Sequence, residues 1–137
     1  MSFPNDLRRG RNCVFLLHAH LVFTTKYRKN IFSSLHLEEL RRIWNRVCTD
    51  FDVLLRECNG EGDHVHLLVN YPPKVALARL VNSLKGVSSR MLKKKFPMLA
   101  KFYWKGALWS PSYFAGSCGG ASLEVLKKYI DAQERPV

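Results

Sequence analysis

His64 and His66 stand two residues apart in the run Gly-Asp-His-Val-His-Leu-Leu-Val (62 to 69), whose alternation predicts a β-strand over 64 to 70. On a strand, Val65, Leu67 and Val69 point to one side, and His64, His66, Leu68 and Asn70 to the other. Two neighbouring imidazoles on a rigid backbone can grip one cation from the same side, though two surface histidines would leave the same pattern. Further along, Tyr129 and Gln133 are four residues apart in a segment with helical spacing, so they share a helix face. Gln133 could reach a cation that Tyr129 faces. Equally, Leu126, Tyr129 and Ile130 form an apolar stripe in which a tyrosine packs with its hydroxyl satisfied. A phenol with a solution pKa of about 10 becomes a useful nucleophile at neutral pH only beside a cation or a general base.

The elements that would position these groups can be read from periodicity. The run from 13 to 24, apolar, β-branched and aromatic, predicts one long buried strand, followed by a basic turn at Lys26, Tyr27, Arg28, Lys29 and Asn30. Leu37, Leu40, Ile43, Trp44, Val47, Cys48 and Phe51 recur at helical spacing, with Glu38 and Glu39 placed where the helix dipole favours acids. A second strand over 51 to 59 ends in Asn59-Gly60-Glu61-Gly62, a glycine-containing turn into the His64 strand. After Pro72-Pro73, the stripe Leu77, Leu80, Val81, Leu84, Val87 or Ser88, and Met91 predicts a second helix to about Phe96, interrupted by Gly86 where a backbone or ligand can approach. A fourth strand is expected within 108 to 115. Gly116, Gly119 and Gly120 then loosen the chain before a final helix over about 121 to 134, capped by Ser122. Strand, helix, strand, strand, helix, strand is the split β-α-β order of a ferredoxin-like, RRM-like α+β domain with a four-stranded antiparallel sheet, two helices on one face, and here an additional C-terminal helix.

With 137 residues the chain reads as a single domain over 1–137 with room for one site. It carries 22 Lys and Arg against 11 Asp and Glu, a formal charge of +11, which calls for a polyanionic partner. A membrane surface is the weaker candidate, because no stretch approaches the roughly 20 apolar residues that span a bilayer. The first ten residues lack the apolar core of a signal peptide, so a cytoplasmic location is expected. Cys13, Cys48, Cys58 and Cys118 are scattered, without Cys-x-x-Cys pairs, and read as reduced, mostly buried residues. Arg9, Arg11, Lys26, Tyr27, Arg28, Lys85, Arg90 and Lys93, with Arg8, Lys29, Lys94 and Lys95 nearby, could follow a phosphate backbone. Tyr27, Tyr103 and Trp104 could stack on unpaired bases.

Five segments in order resemble the single-tyrosine transposases of small insertion sequences, members of the HUH nuclease superfamily, over nearly the whole chain: 21 to 29, 62 to 69, 84 to 90, 108 to 114 and 128 to 133. The resemblance implies that His64 and His66 are the HUH histidines, that Tyr129 is the nucleophile, and that Gln133 is the third protein ligand to a divalent ion, Mg²⁺ or Mn²⁺. It implies cleavage and rejoining of single-stranded DNA at hairpin-containing element ends through a 5′-phosphotyrosine. It also implies a homodimer in which a mobile final helix carries Tyr129 to the other subunit's histidines. Two departures are visible: Gly62-Asp63 stands where the family often has Met-Pro-Asp, and Asp131-Ala132 where it often has Glu-Asn or Glu-Ser. A relative of the REP-associated tyrosine transposases, cleaving repeated palindromes, would share these features. A non-catalytic RRM-like nucleic-acid binder would explain the charge and aromatics but has no need for His64, His66 and Tyr129 together, and a small-molecule hydrolase leaves the basic surface unexplained.

Overall fold

A computed structural model of the chain describes residues 7–101, 108–117 and 123–133. In order these form β1 (Arg8–Gly10), β2 (Cys13–Phe15), β3 (His18–Thr24), a 3₁₀ turn (Lys26–Arg28), α1 (Ser34–Asp50), β4 (Leu54–Gly60), β5 (His64–Asn70), α2 (Leu77–Lys95), α3 (Pro97–Ala100), β6 (Phe114–Ser117) and α4 (Leu123–Ala132). The main sheet runs β4-β5-β3-β6 and is antiparallel throughout, the ferredoxin-like order expected from the sequence.

Pairing of β3 with β5 sets both faces of the sheet. Leu21 lies opposite Leu67, Phe23 opposite Val65 and Ala19 opposite Val69, and these join Leu40, Ile43, Trp44 and Val47 of α1 and Leu80, Val81 and Leu84 of α2 in one core. Trp44 donates its indole N–H to the Leu84 carbonyl (2.9 Å) and Trp109 donates to Ser88 Oγ (2.9 Å), so each buried ring keeps its polar edge satisfied. The opposite face carries Val22 beside His66 and Thr24 beside His64. Burial pushes the Cys48 thiol up to about 12 and the Cys58 thiol up to about 11, so both are inert packing groups, while Cys13 is exposed.

The structure departs from the sequence reading in several places. The strand expected over 13 to 24 breaks at Leu16 and Leu17. Its first part pairs with the very polar β1 as a separate two-stranded hairpin, turned at Asn12 with φ of 62°. That hairpin is tied to the main sheet by Arg8, which donates to Asn70 Oδ1 (2.8 Å) and to the Asp52 carbonyl (3.0 Å). α1 starts at Ser34, so Glu38 and Glu39 fall beyond its first turn. Glu39 instead accepts from Lys95 (2.9 Å) and pairs with Arg42, joining α1 to the end of α2. The buried stripe of α2 continues through Ser88 to Leu92, which leaves Met91 45% exposed. The fourth strand begins later than expected, at Phe114. Pro111 has no N–H to give a ladder, and the Lys85 ammonium takes the carbonyls of Ser110 (2.7 Å) and Ser112 (2.9 Å) in place of a strand. The Ser122 cap and the glycines at 119 and 120 lie outside the described residues, as do Tyr103, Trp104 and Cys118.

No described glycine has a positive φ, and where a glycine is required it is for close approach. A Cβ at Gly60 would fall 2.6 Å from the His64 carbonyl oxygen, whereas one at Gly86 would meet only the Arg90 guanidinium at 3.5 Å. Gly60→Ala should therefore cost about 1–3 kcal/mol by overpacking. Gly86→Ala, in a helix interior with space, should instead gain about 0.5–1 kcal/mol. Urea unfolding of the two variants checks the opposite signs.

Candidate active site

β5 emerges from its turn directly into the residues of interest. Thr25 N–H donates to the Asp63 carbonyl (2.9 Å), and Ile31 and Phe32 N–H both donate to the Gly62 carbonyl (2.9 and 3.0 Å), so the segment after β3 is laced to the start of β5. Gly62 admits this packing: a Cβ there would sit 1.4 Å from Asn30 Oδ1, so a larger residue would displace the Asn30 side chain. Within the laced segment Tyr27 and Arg28 are both left-handed, with φ of 61° and 52°, although neither is glycine. Such backbone costs of order 1–3 kcal/mol per residue and persists only where its surroundings enforce it. Here it turns the Arg28 side chain inward, 9% exposed, onto Asp63.

Asp63 holds the site together. Its Oδ2 accepts from Arg28 Nε (3.2 Å) and Nη2 (3.0 Å), and its Oδ1 takes the Nδ1–H of His64 (2.8 Å). Burial alone would raise its pKa, but the hydrogen bonds from His64 and Arg28 outweigh that and hold the carboxyl below its ordinary value. A carboxylate on Nδ1 fixes the His64 tautomer with the lone pair on Nε2, the arrangement that prepares an imidazole as a metal ligand. His66 is pushed down to about 4, first by burial and then by His20 and His64, so it is neutral at physiological pH. Its Nε2 lies 2.7 Å from Nδ1 of His20, a residue of β3 that the sequence reading did not single out. The signal for His20 was present as a second His-x-His pair, His18 and His20, but only the β3–β5 register shows which imidazole it meets.

A cleft of about 580 Å³ opens over this cluster, lined by Arg28, Asp63, His64 and His66, with Lys127, Ile130 and Asp131 of α4 along its other wall. Among the described residues two buried polar side-chain atoms lack a hydrogen-bond partner, Thr24 Oγ1 and Arg28 Nη1. Thr24 is the cross-strand neighbour of His64, and Arg28 shares Asp63 with it. Among the described residues no group of three or more His, Cys, Asp or Glu side chains is arranged to hold a metal ion. The donors present are two imidazoles, His64 and His66, which suits a divalent ion whose remaining ligands are an amide, substrate oxygens or water.

Tyr129 and Gln133 do not line this cleft. The Tyr129 hydroxyl donates to Ser112 Oγ (3.0 Å) and its ring packs on Phe114, with centroids 5.7 Å apart. Burial raises the phenol's pKa, and the Ser112 hydrogen bond offsets this in part. Gln133 lines a smaller recess with Thr24, Thr25, Lys26 and Tyr27, one cross-strand step from His64. Of the residues expected to meet nucleic acid, Arg9 and Arg11 are exposed at the β1–β2 hairpin and Tyr27 is exposed beneath Lys26. Arg28 is buried in the site's own support. Lys85 and Arg90 flank a recess of about 390 Å³ with Asn82, Ser89 and Tyr113, and Lys93 is half-buried nearby on α2.

A match to the family model for IS200-like transposases covers residues 13–133. The ISDra2 transposase TnpA of Deinococcus radiodurans is 30% identical over 130 residues, covering 95% of this chain and 93% of that protein. A transposase for insertion sequence element IS200 from Salmonella typhimurium is 30% identical over 122 residues, 89% of this chain and 77% of that one. A crystal structure of a transposase from D. radiodurans R1 superposes with a TM-score of 0.84 at 30% identity, over 94% of this chain and 99% of that one. A REP-associated tyrosine transposase bound to a REP hairpin shares the fold at a TM-score of 0.50 and 12% identity, over 96% of this chain and 68% of that one. The α+β sheet with its appended helix is thus a transposase fold, and the chain belongs to the IS200-like transposase family. No helix among the described residues is long and apolar enough to cross a membrane.

Burial lowers the Lys85 amine to about 8. The folded state therefore releases this proton before the unfolded chain does, so stability from this group should rise as pH climbs from about 8 to the ordinary lysine range. Chemical denaturation of wild type and Lys85→Met across that window should show the difference moving in favour of wild type. A flat difference would contradict the burial.

Proposed function

We propose that this transposase cleaves and rejoins single-stranded DNA at hairpin-containing element ends, with Tyr129 as nucleophile. His64, His66 and Gln133 hold a divalent ion, Mg²⁺ or Mn²⁺. The observation that carries this reading is the Asp63 carboxylate fixing His64 with its Nε2 lone pair available, beside a neutral His66 on the same strand face. When bound, the ion supplies Lewis-acid polarisation of the scissile phosphate and helps lower the phenol's pKa. His64 and His66 orient that charge, and Arg28 keeps Asp63 ionised so that His64 does not change tautomer. The Tyr129 oxygen attacks phosphorus as the bond to the 3′ oxygen breaks, leaving a 5′-phosphotyrosine and, after proton uptake, a free 3′-OH. Rejoining is the reverse displacement by a 3′-OH, with the phenol leaving and regaining its proton, so no nucleotide cofactor is consumed.

In the homodimer we infer, α4 of one chain carries Tyr129, here resting on Ser112, to the histidine site of the other, in place of that chain's own Lys127, Ile130 and Asp131 along the cleft wall. The formal charge of +11 suits a DNA strand, and the relative bound to a REP hairpin supports a hairpin as the recognised shape.

Incubation of the purified protein with Mn²⁺ and single-stranded oligonucleotides spanning the element ends should give a covalent protein–DNA adduct resolved on a denaturing gel. Tyr129→Phe and His64→Ala should each abolish it. Mixing the two inactive variants should restore an adduct on the His64→Ala chain. Adduct formation by Tyr129→Phe would overturn the nucleophile, and no recovery in the mixture would overturn the shared site.

A further inference from the structure

His20 is 4% exposed on the sheet face that carries His64 and His66. In the β3–β5 register it lies opposite Leu68, which makes His66 its diagonal neighbour, a position within reach of a ring side chain. Nδ1 of His20 is 2.7 Å from Nε2 of His66, the ring centroids are 4.9 Å apart and the planes differ by 17°. Near-parallel planes with so short a nitrogen contact describe two rings meeting edge to edge through an in-plane N–H···N bond.

A neutral imidazole has one donor nitrogen and one acceptor nitrogen, so exactly one of the two rings donates. If His20 donated, the His66 lone pair would be consumed at Nε2 and its other nitrogen would carry hydrogen. His66 could then bind nothing without breaking the contact. If His66 donates, its lone pair stays on Nδ1. The structure also defines the complementary case next door, where His64 gives its Nδ1–H to Asp63 and keeps its lone pair on Nε2.

We propose that His20 is a positioning residue that accepts the Nε2–H of His66, so that the two histidines of the metal site present different nitrogens, Nδ1 from His66 and Nε2 from His64. This rests on the metal-binding reading above and adds to it a third histidine that fixes one ligand's ring and tautomer. It gives His66, which among the described residues has no hydrogen-bonded carboxylate of the kind His64 finds in Asp63, its own outer support. It also accounts for a buried histidine on β3 that the transposition chemistry leaves without a task.

Long-range ¹H–¹⁵N correlation of metal-free protein labelled at histidine distinguishes the two neutral tautomers and needs neither metal nor DNA. His66 should carry its proton on Nε2 and His64 on Nδ1. In His20→Leu the His66 tautomer should shift or become mixed. In His20→Asn, whose side-chain oxygen can accept the same proton, it should persist. Mn²⁺ titration followed by electron paramagnetic resonance should show binding weakened about 10–100-fold in His20→Leu and largely kept in His20→Asn. Far-ultraviolet circular dichroism separates misfolding of the leucine variant from loss of the contact, and the wild-type tautomer decides the matter if that variant does not fold. Wild-type His66 protonated on Nδ1, or a folded His20→Leu with unchanged tautomer and Mn²⁺ affinity, would overturn the role of His20 while leaving the metal site standing. Wild-type protein that binds no Mn²⁺ would remove the metal site itself and the positioning role with it.

Discussion

A slip of one residue between β3 and β5 would turn His64 and His66 into the hydrocarbon under α1 and α2 and bring Val65 and Leu67 out to the cleft. The register is held from both sides of the sheet. On the core side Leu21, Phe23, Leu67 and Val65 interlock with Trp44 and Leu84, and on the other side Val22 lies against His66 and Thr24 against His64. Because side-chain direction alternates with a period of two, hydrophobic burial on one face fixes the position of every imidazole on the other. The polar cluster therefore inherits its precision from the core beneath it.

Above that frame, the site is organised by a chain of polar contacts that begins in backbone strain. Tyr27 and Arg28 adopt left-handed torsions so that a guanidinium can enter the fold, and Asp63 compensates its charge while orienting His64. A buried arginine on a carboxylate does little for stability by itself, since desolvation offsets much of the attraction. Its effect here is directional. Removing the guanidinium would leave Asp63 half-buried and would release the proton arrangement on His64.

Much of this was legible in the sequence, for local reasons. His64–Asn70 and Leu77–Lys95 were readable because alternation and helical spacing are properties of neighbouring residues. The order of the main sheet followed from those elements. The β1–β2 hairpin was not readable, because Arg-Arg-Gly has neither alternation nor β propensity and is held by Arg8 reaching Asn70 across 62 residues. β6 was displaced by a lysine from another element, and the α2 stripe shifted from Met91 to Leu92 because burial, not spacing alone, decides between adjacent apolar residues. At the site, His64 and His66 announced themselves by proximity in sequence. His20 meets His66 across 46 residues, and the resting place of Tyr129 depends on Ser112, a contact that no periodicity encodes.

The diversion of basic side chains into internal contacts also bears on how the protein responds to ionic strength. Arg28 is committed to Asp63, Arg8 to Asn70 and Asp52, Lys95 to Glu39, and Lys85 to two carbonyls. Salt sensitivity of strand binding counts only those cations that displace condensed counterions from phosphates, at a slope of about 0.7 per contact for single strands. The apparent number of such contacts should thus fall well below what 22 lysines and arginines suggest. Part of the positive charge works as scaffold, and the buried share of it, at Arg28, is screened by electrolyte far less than the exposed cations are.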